Sequence, residues 1–249
     1  MSLLRVDTVS RQFGSLVAVN GVSVSIEACE LLAVIGPNGA GKTTLFNLIS
    51  GFFPPNSGRI FFDDRDITQD APHQRVASGI SRTFQITEIF PELSVRENLR
   101  IAVEVASGFR LRPWLGQQAS AQVRGQVDEL LELGGLGAMA GRDVGELTHG
   151  DQRATEIMMS LALRPRLLLL DEPTAGMGDK ETYDITKLIR RLHRQRNLTI
   201  ALVEHDMRVI FHLADRILVL AEGKELAQGT PSEISANERV QAAYLGIAA

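Results

Sequence analysis

Cysteine is almost absent from this 249-residue chain, which contains Cys29 alone. A single cysteine excludes an intrachain disulfide, and no set of cysteines and histidines has the spacing of a zinc site. Stability must therefore come from the burial of apolar side chains. Apolar residues make up 44% of the sequence and charged residues 22%, which allows a substantial core in one large domain or two small ones.

Long hydrophobic runs and an excess of basic charge are also missing. No apolar stretch approaches the roughly 18 residues that a transmembrane helix needs. The first residues, Met1 to Arg5, lack the apolar region of a signal peptide. The formal net charge of −4 argues against a broad nucleic-acid-binding surface. The sequence thus predicts a cytoplasmic protein with no nucleic-acid partner, in which another chain supplies any membrane-spanning part.

The strongest pattern is a glycine-rich stretch from Gly36 to Thr44 that matches the phosphate-binding motif G-x-x-x-x-G-K-[ST]. The apolar run Leu31–Ile35 before it predicts a buried strand. Residues 44–50 after it predict a helix, which Gly51 is expected to end. Strand, glycine loop and helix in this order are what the binding of a triphosphate requires.

Each part of this loop has an expected role in nucleotide binding. Its backbone N–H groups and the positive N-terminus of the helix attract phosphates. Lys42 can reach the terminal phosphates, and the Thr43 hydroxyl can bind Mg²⁺. The expected phosphate-binding residues are Gly36, Pro37, Asn38, Gly39, Ala40, Gly41, Lys42, Thr43 and Thr44. The loop therefore predicts binding of ATP or GTP.

Two carboxylates follow a second buried strand. Four leucines at residues 167–170 lead directly into Asp171 and Glu172. In a parallel sheet the end of this strand lies beside the glycine loop, so Asp171 can hold Mg²⁺ directly or through water. Glu172 can then accept a proton from the attacking water or polarise it. These carboxylates predict hydrolysis of the nucleotide in addition to its binding.

Gln85 and His205 each follow a predicted strand as well. Strand ends of such a sheet point at the nucleotide crevice. Gln85 can bind Mg²⁺ and orient water, and His205 can contact the γ-phosphate. Both are therefore candidate catalytic residues beside Glu172.

Elsewhere the sequence predicts an α/β chain with a block of helices inserted into it. Near the N-terminus, Val22, Val24 and Ile26 alternate with polar residues after a predicted turn at Asn20-Gly21, which indicates a half-exposed strand. Further strands are expected at residues 59–62, 81–85, 199–203, 216–220 and 224–228. Helices are expected at residues 72–78, 95–106, 118–133, 151–163 and 181–196, with two short ones after residue 231.

Taken in order, these motifs resemble those of the ABC ATPase family over essentially the whole chain. The corresponding motifs are Phe13 as the adenine-stacking aromatic, Gly36 to Thr44 as Walker A, Gln85 as the Q-loop, residues 147–152 as the signature, residues 167–172 as Walker B, residues 175–178 as the D-loop and His205 as the switch histidine. The resemblance implies ATP hydrolysis in a head-to-tail dimer. Each ATP would lie between Walker A of one protomer and Thr148 and Gly150 in the signature of the other.

The resemblance also implies the fold class. This is a P-loop NTPase core with a mainly parallel sheet, an N-terminal antiparallel β-subdomain and an inserted helical subdomain. Residues 1–249 would form one ABC ATPase domain. Its core would comprise residues 1–94 and 164–230, the helical signature subdomain residues 95–163, and the C-terminal helical tail residues 231–249.

Four residues depart from the usual family motifs. The usual signature begins Leu-Ser-Gly-Gly-Gln, whereas here Thr148 replaces the serine, His149 the first glycine and Asp151 the glutamine. Thr148 keeps a hydroxyl for the γ-phosphate. His149 adds bulk at a tight interface, and Gly178 replaces the usual Asp or Asn of the D-loop. These departures favour pairing with a different ATP-binding subunit, with a homodimer as the alternative.

Finer motifs resemble the ATP-binding subunits of branched-chain (hydrophobic) amino-acid importers, and similar subunits serve urea and short-amide uptake. The matching stretches are residues 82–85, 149–153, 175–177, 203–207 and 243–246. The resemblance implies a peripheral subunit at the cytoplasmic face of the inner membrane that uses ATP and Mg²⁺. Its partners would be permease subunits, a second ATP-binding subunit and, indirectly, a periplasmic substrate-binding protein. Residues 86–91 are expected to help form a groove for a short permease helix.

Other functions fit the sequence less well. A GTPase would carry D-x-x-G and N-K-x-D motifs, which do not occur, and a small-molecule kinase does not explain the signature. A soluble ABC ATPase in DNA repair would carry a long coiled-coil insertion, and a ribosomal one two ATPase domains, neither of which this chain has. A module that binds ATP without turnover remains the last alternative.

Overall fold

Two sheets and nine α-helices make up the part of the chain described by a computed structural model, namely residues 2–83, 89–108 and 117–245. The strands are β1 (Ser2–Phe13), β2 (Leu16–Glu27), β3 (Leu31–Ile35), β4 (Ser57–Phe62), β5 (Arg65–Asp66), β6 (Ile80–Arg82), β7 (Leu167–Asp171), β8 (Thr199–Val203), β9 (Arg216–Ala221) and β10 (Lys224–Gly229). The helices are α1 (Lys42–Ser50), α2 (Pro72–Ser78), α3 (Val95–Ala106), α4 (Gln117–Gly134), α5 (His149–Ala162), α6 (Asp179–Arg196), α7 (Met207–Leu213), α8 (Pro231–Ser235) and α9 (Glu238–Leu245). The predicted α/β fold class is confirmed.

The larger sheet has the strand order β10-β9-β3-β8-β7-β6 and is parallel except for β10. All residues of β3, β7 and β8 are buried, as the continuous apolar runs predict, because both faces of the sheet are covered. Alternate residues of β7 enter different cores. Leu168 and Leu170 pack with α3 to α6, whereas Leu167 and Leu169 pack with α1 and the smaller sheet.

The smaller sheet is antiparallel, with the order β2-β1-β4-β5. The predicted turn at Asn20-Gly21 is wrong, because β2 continues through both residues. Gly21 has a φ of 65° where the pairing register of β1 and β2 shifts, and its N–H donates to Ser10 Oγ at 2.9 Å. The N–H of Asn20 donates to the carbonyl of Gly223 in the β9–β10 turn at 2.7 Å. The glycine therefore forms a bulge that joins the two sheets.

Helix α1 is closed by a feature that the sequence pattern did not reveal. Gly51 ends the helix in the left-handed region, as predicted. The buried guanidinium of Arg75 donates to the carbonyls of Leu48 and Ile49 at 2.5 and 2.7 Å. The Leu48 carbonyl also accepts the N–H of Gly51 at 3.3 Å. Carbonyls in the last turn of a helix need partners from outside it, and a cation also suits the negative end of the helix dipole. Burial lowers the pKa of Arg75 to about 10.

Helices α3, α4 and α5 pack against one another and share a core with the parallel sheet. Helix α3 has the predicted bounds and begins with a capping box between Ser94 and Glu97. Helix α5 begins two residues earlier than predicted, because the Thr148 hydroxyl caps it by accepting the N–H of Asp151. His149 and Gly150 therefore lie in the first helical turn, whereas the predicted helix at residues 151–163 left them outside it.

The C-terminal third of the fold follows the sequence pattern closely. Helix α6 ends in a basic cluster that is paired: Arg194 contacts Asp215 at 3.3 Å and Arg196 contacts Glu129 at 2.5 Å. The hairpin β9–β10 contains the strands expected at residues 216–220 and 224–228, and it turns at Glu222 and Gly223, both with positive φ. None of the helices in the described ranges is long and apolar enough to cross a membrane.

Candidate active site

The glycine-rich loop wraps around the side chain of Lys42. The Lys42 ammonium is buried and donates to the carbonyl oxygens of Gly36 and Pro37 at 2.7 and 3.0 Å. Gly41 has a φ of 97°, and a Cβ there would lie 2.4 Å from the carbonyl of Ala18. A Cβ on Gly36 would lie 2.2 Å from the carbonyl of Leu220. Only glycine allows this close approach of the loop to β2 and β9.

Lys42 also interacts electrostatically with Asp171, the last residue of β7, and with Glu172, which follows it. Burial lowers the pKa of Lys42, while the negative charges of Glu172 and Asp171 raise it. The structure thus brings together the loop lysine, the predicted metal-binding aspartate and the predicted base. Residues 37–39 and Thr43 are exposed, and Thr44 is half-buried, at the mouth of the same loop.

The two carboxylate oxygens of Asp171 differ in their hydrogen bonding. Its Oδ2 accepts a hydrogen bond from Arg82 Nη2 at 2.8 Å, and both side chains are almost fully buried. Within the described residues its Oδ1 has no hydrogen-bond partner. Buried polar atoms are rarely left unpaired, so this oxygen fits a role as ligand to Mg²⁺ or to a water bound to it. Among the described residues no cluster of three or more His, Cys, Asp or Glu side chains is suited to hold a metal.

Glu172 and His205 form the second pair of the site. Nε2 of His205 lies 2.8 Å from Oε1 of Glu172. The backbone of Glu172 has a φ of 48°, a conformation that costs energy for a residue with a Cβ. Its N–H donates to the carbonyl of Val203 at 2.9 Å, and its carbonyl accepts from Arg153 Nη2 at 3.2 Å. These contacts hold the strained residue in place beside the histidine.

Three groups were missed by sequence reasoning. Arg82 and Glu204 make buried hydrogen bonds to the predicted site residues or to their backbone, and Glu181 contacts the signature. The sequence held a signal for Arg82 and Glu204. Arg82 is a charged residue within the predicted strand that ends at Gln85, and Glu204 is one that directly follows a predicted strand and precedes His205. Glu181 has no such signal, since its contact with Gly150 joins residues that are distant in sequence.

The predicted adenine-stacking residue lies on the hairpin of β1 and β2. The Phe13 ring is 42% exposed and packs edge-on against Phe53, with a centroid distance of 5.3 Å. The Arg11 guanidinium lies 4.9 Å from the Phe13 centroid. Ala18 of the same hairpin contacts the glycine loop at Gly41, so Phe13 is carried by the element that borders the loop. Its role in stacking remains a prediction.

The signature residues lie apart from Glu172 and His205. Thr148 and Gly150 line a groove of about 910 Å³ between α5 and α6, whereas Glu172 and His205 line a smaller one of about 220 Å³. Gly150 donates its N–H to Oε1 of Glu181 at 3.1 Å. This bond, together with one from the Thr148 hydroxyl, lowers the pKa of Glu181. The other predicted catalytic residue, Gln85, lies outside the described residues.

Comparison with known proteins adds an independent finding. The profile of the family described as ABC transporter matches residues 19–175, and one described as branched-chain amino acid ATP-binding cassette transporter matches residues 224–249. The high-affinity branched-chain amino acid transport ATP-binding protein LivG of Salmonella typhimurium is 41% identical over 251 residues, with 98% of each chain covered. BraF of Pseudomonas aeruginosa, which carries the same description, is 38% identical over 250 residues with the same coverage.

Solved structures agree with this match. The crystal structure of the ADP conformation of MJ1267, an ATP-binding cassette of an ABC transporter, superposes with a TM-score of 0.85 at 27% identity. The superposition covers 99% of both chains.

Proposed function

The chain belongs to the ABC transporter family, and we propose that it is the ATP-hydrolysing subunit of an importer for branched-chain or other hydrophobic amino acids. One observation carries the assignment of hydrolysis. Lys42 lies within the electrostatic reach of Asp171 and Glu172, and Glu172 is 2.8 Å from the His205 ring. A phosphate-binding cation, a carboxylate base and a histidine are thereby collected at the ends of parallel strands.

Each residue of the site has a proposed part in the reaction. The loop N–H groups and Lys42 bind the phosphates, and Phe13 stacks on the adenine. Glu172 accepts a proton from the water that attacks the γ-phosphate. His205 contacts the γ-phosphate and orients Glu172. When bound, Mg²⁺ supplies positive charge to the phosphates, and Thr43, Asp171 and Gln85 are the side chains that would hold it.

The arrangement of the signature supports a site completed by a second subunit. Thr148 and Gly150 open toward a different groove from the one that Glu172 lines. Their hydroxyl and N–H groups at the start of α5 suit the γ-phosphate of an ATP held by another subunit. The exposed His149 and Gly178 favour a related but different ATP-binding chain as that subunit. In this proposal the chain is one domain, and residues 95–163 form its helical signature subdomain.

An apolar groove supports docking of a permease. It measures about 340 Å³ and is lined by the exposed side chains of Phe52, Val76, Phe90 and Val105, together with residues of β6 and α5. Exposed apolar side chains grouped in this way mark interaction surfaces, and a short amphipathic helix fits such a groove. Of the segment predicted to help form it, Phe90 lines the groove, while residues 86–88 lie outside the described chain. Docking here would place the protein at the cytoplasmic face of the membrane.

The decisive test of hydrolysis is the substitution Glu172→Gln in the assembled transporter. The amide keeps the shape of the side chain and removes the base, so ATP binding should persist while turnover falls by on the order of a hundredfold or more. Glu225→Gln, which changes an exposed carboxylate in β10, is the matched control and should leave turnover unchanged. Near wild-type hydrolysis by Glu172→Gln would refute the assignment of the base.

The cargo is tested separately by reconstituting the chain with candidate permease subunits and a substrate-binding protein. Uptake of radiolabelled leucine, isoleucine and urea is compared in the presence and absence of ATP. The proposal expects ATP-dependent uptake of the two amino acids. Uptake of urea alone would assign the chain to an amide importer and leave the ATPase assignment intact.

A further inference from the structure

Glu204 is a buried carboxylate beside the histidine of the site. It follows the last residue of β8, and only 3% of its surface is exposed. Its Oε1 accepts the N–H of Thr174 at 2.9 Å and also the Thr174 hydroxyl. Its Oε2 accepts the N–H of His205 at 2.8 Å and that of Asp206 at 3.4 Å. Each oxygen thus serves a different segment of the chain.

These hydrogen bonds connect the two segments that carry the reacting groups. Thr174 lies two residues after Glu172, in the segment that follows β7, and His205 lies directly after Glu204. The His205 side chain is 45% exposed, so packing alone does not fix its ring. The backbone of His205 is held by Glu204, and Nε2 of its ring contacts Glu172.

We propose that Glu204 is a positioning residue that holds His205 against Glu172 by tying together the segments after β7 and β8. The inference rests on the proposed ATP hydrolysis and goes beyond it. A carboxylate suits this position, because three of the four neighbouring groups are backbone N–H donors and the fourth, the Thr174 hydroxyl, donates to it as well. In a glutamine, an NH₂ group replaces one of the two acceptor oxygens. The side chain could then accept the backbone N–H groups of only one of the two segments.

The test is a double-mutant cycle between Glu204→Gln and His205→Ala. Single-turnover hydrolysis of labelled ATP is measured with protein in excess, so that rates far below wild type are quantified. We expect Glu204→Gln alone to lower the hydrolysis rate by about 10- to 100-fold, since small displacements of reacting groups have effects of this size. Binding of ATP should change by less than about twofold, because the phosphate loop is unaffected. In the His205→Ala background, Glu204→Gln should cause no further loss.

Three outcomes would overturn the proposal. If Glu204→Gln lowers the rate by the same factor with and without His205, its effect is a general structural one. If Glu204→Gln hydrolyses ATP at the wild-type rate while His205→Ala does not, Glu204 has no part in positioning and the proposed function stands. If His205→Ala itself hydrolyses ATP normally, the role given to His205 in the proposed function fails first, and that of Glu204 fails with it.

A milder variant covers the case in which Glu204→Gln does not fold. Thr174→Val removes only the hydroxyl bond and keeps the backbone N–H that Glu204 accepts. We expect a smaller loss of rate than for Glu204→Gln, which again disappears in the His205→Ala background. Thr174→Ser, unlike Thr174→Val, keeps the hydroxyl and should therefore hydrolyse ATP at close to the wild-type rate. An unchanged rate in Thr174→Val, or a loss that persists without His205, would contradict the proposal.

Discussion

Arg82 donates a hydrogen bond to Oδ2 of Asp171 at 2.8 Å, and this contact joins the strand before Gln85 to the end of β7. Arg82 also donates to Asn47 Oδ1 at 2.6 Å and Ser50 Oγ at 3.0 Å, both on α1. One guanidinium therefore fixes the carboxylate proposed to bind Mg²⁺ relative to α1, the helix that follows the glycine-rich loop. Since Oδ1 of Asp171 belongs to this same carboxylate, Arg82 also sets the direction in which that oxygen points.

Substituting Arg82 should destabilise the protein strongly. Arg82→Met leaves the charge of Asp171 buried without the side chain that donates a hydrogen bond to it, and breaking a buried ion pair in this way costs about 3–5 kcal/mol. We expect a decrease of this size in the free energy of unfolding, measured by urea denaturation. Arg166→Met is the matched control, because it breaks an exposed pair with Asp63 and should cost about 1 kcal/mol or less. Equal losses in the two variants would contradict the role given to burial.

Lys42 should control the affinity for nucleotide. Its ammonium is turned toward the carbonyls of Gly36 and Pro37, which places it inside the loop that binds the phosphates. Hydrogen bonds to charged groups contribute about 1.5–3 kcal/mol, so Lys42→Ala should raise the Kd for ATP by roughly 10- to 150-fold. Isothermal titration calorimetry measures the change, with the exposed Lys224→Ala as control. A Kd within about twofold of wild type would exclude Lys42 from phosphate binding.

Most of the fold could be predicted from the sequence, because its buried strands are continuous apolar runs and its breaks contain Gly or Pro. The bounds of β3, β8, α2 and α3 were predicted to the residue. Errors arose where one residue is compatible with two local backbone conformations. Gly21 suits a turn and equally a bulge, and Thr148 can stand in a loop or cap a helix. Whether Gly21 forms a turn or a bulge depends on how β2 pairs with β1. The periodicity of a single segment carries no information about that pairing.

The candidate site was predictable only in part, for a related reason. Lys42, Asp171 and Glu172 belong to short motifs in which residue type and spacing encode the chemistry. The contacts that position them come from side chains far away in the sequence, as in the pairing of Arg82 with Asp171 across 89 positions. Such pairings depend on strand order, because β6 reaches Asp171 only as the neighbour of β7.

Glu181 should oppose closure of the ATP-bound dimer. Its carboxylate accepts the N–H of Gly150, and the Thr148 hydroxyl contacts both Glu181 and, at 3.0 Å, Asp151. These donors are the groups proposed to bind the γ-phosphate of the ATP held by the other subunit. The carboxylates of Glu181 and Asp151 therefore compete with that phosphate for the same hydrogen-bond donors. We expect Glu181→Gln to strengthen ATP-dependent association by up to about fivefold, the size of one exposed charge contact.

The measurement is size-exclusion chromatography with light scattering in the Glu172→Gln background, with ATP and Mg²⁺. The chain is examined alone and mixed with a candidate second ATP-binding subunit. Glu181→Gln keeps an acceptor for the Gly150 N–H and removes only the charge. Glu225→Gln, which changes an exposed carboxylate in β10 outside this groove, is the control. Weaker association of Glu181→Gln than of wild type would indicate that the carboxylate supports the signature instead of opposing the phosphate.

The apolar groove that Val105 lines should cross-link to a permease. Cys29 is exposed and is first replaced by serine, which leaves a chain without cysteine. A cysteine introduced by Val105→Cys then lies at the groove, where the native side chain is 64% exposed. With a short bifunctional reagent in native membranes, we expect a product containing one membrane subunit. Tyr183→Cys on α6 is equally exposed and serves as the control that should give little of it. Efficient trapping of ribosome or nucleic acid at Val105→Cys, with no permease product, would favour a soluble ATPase and overturn the transport role.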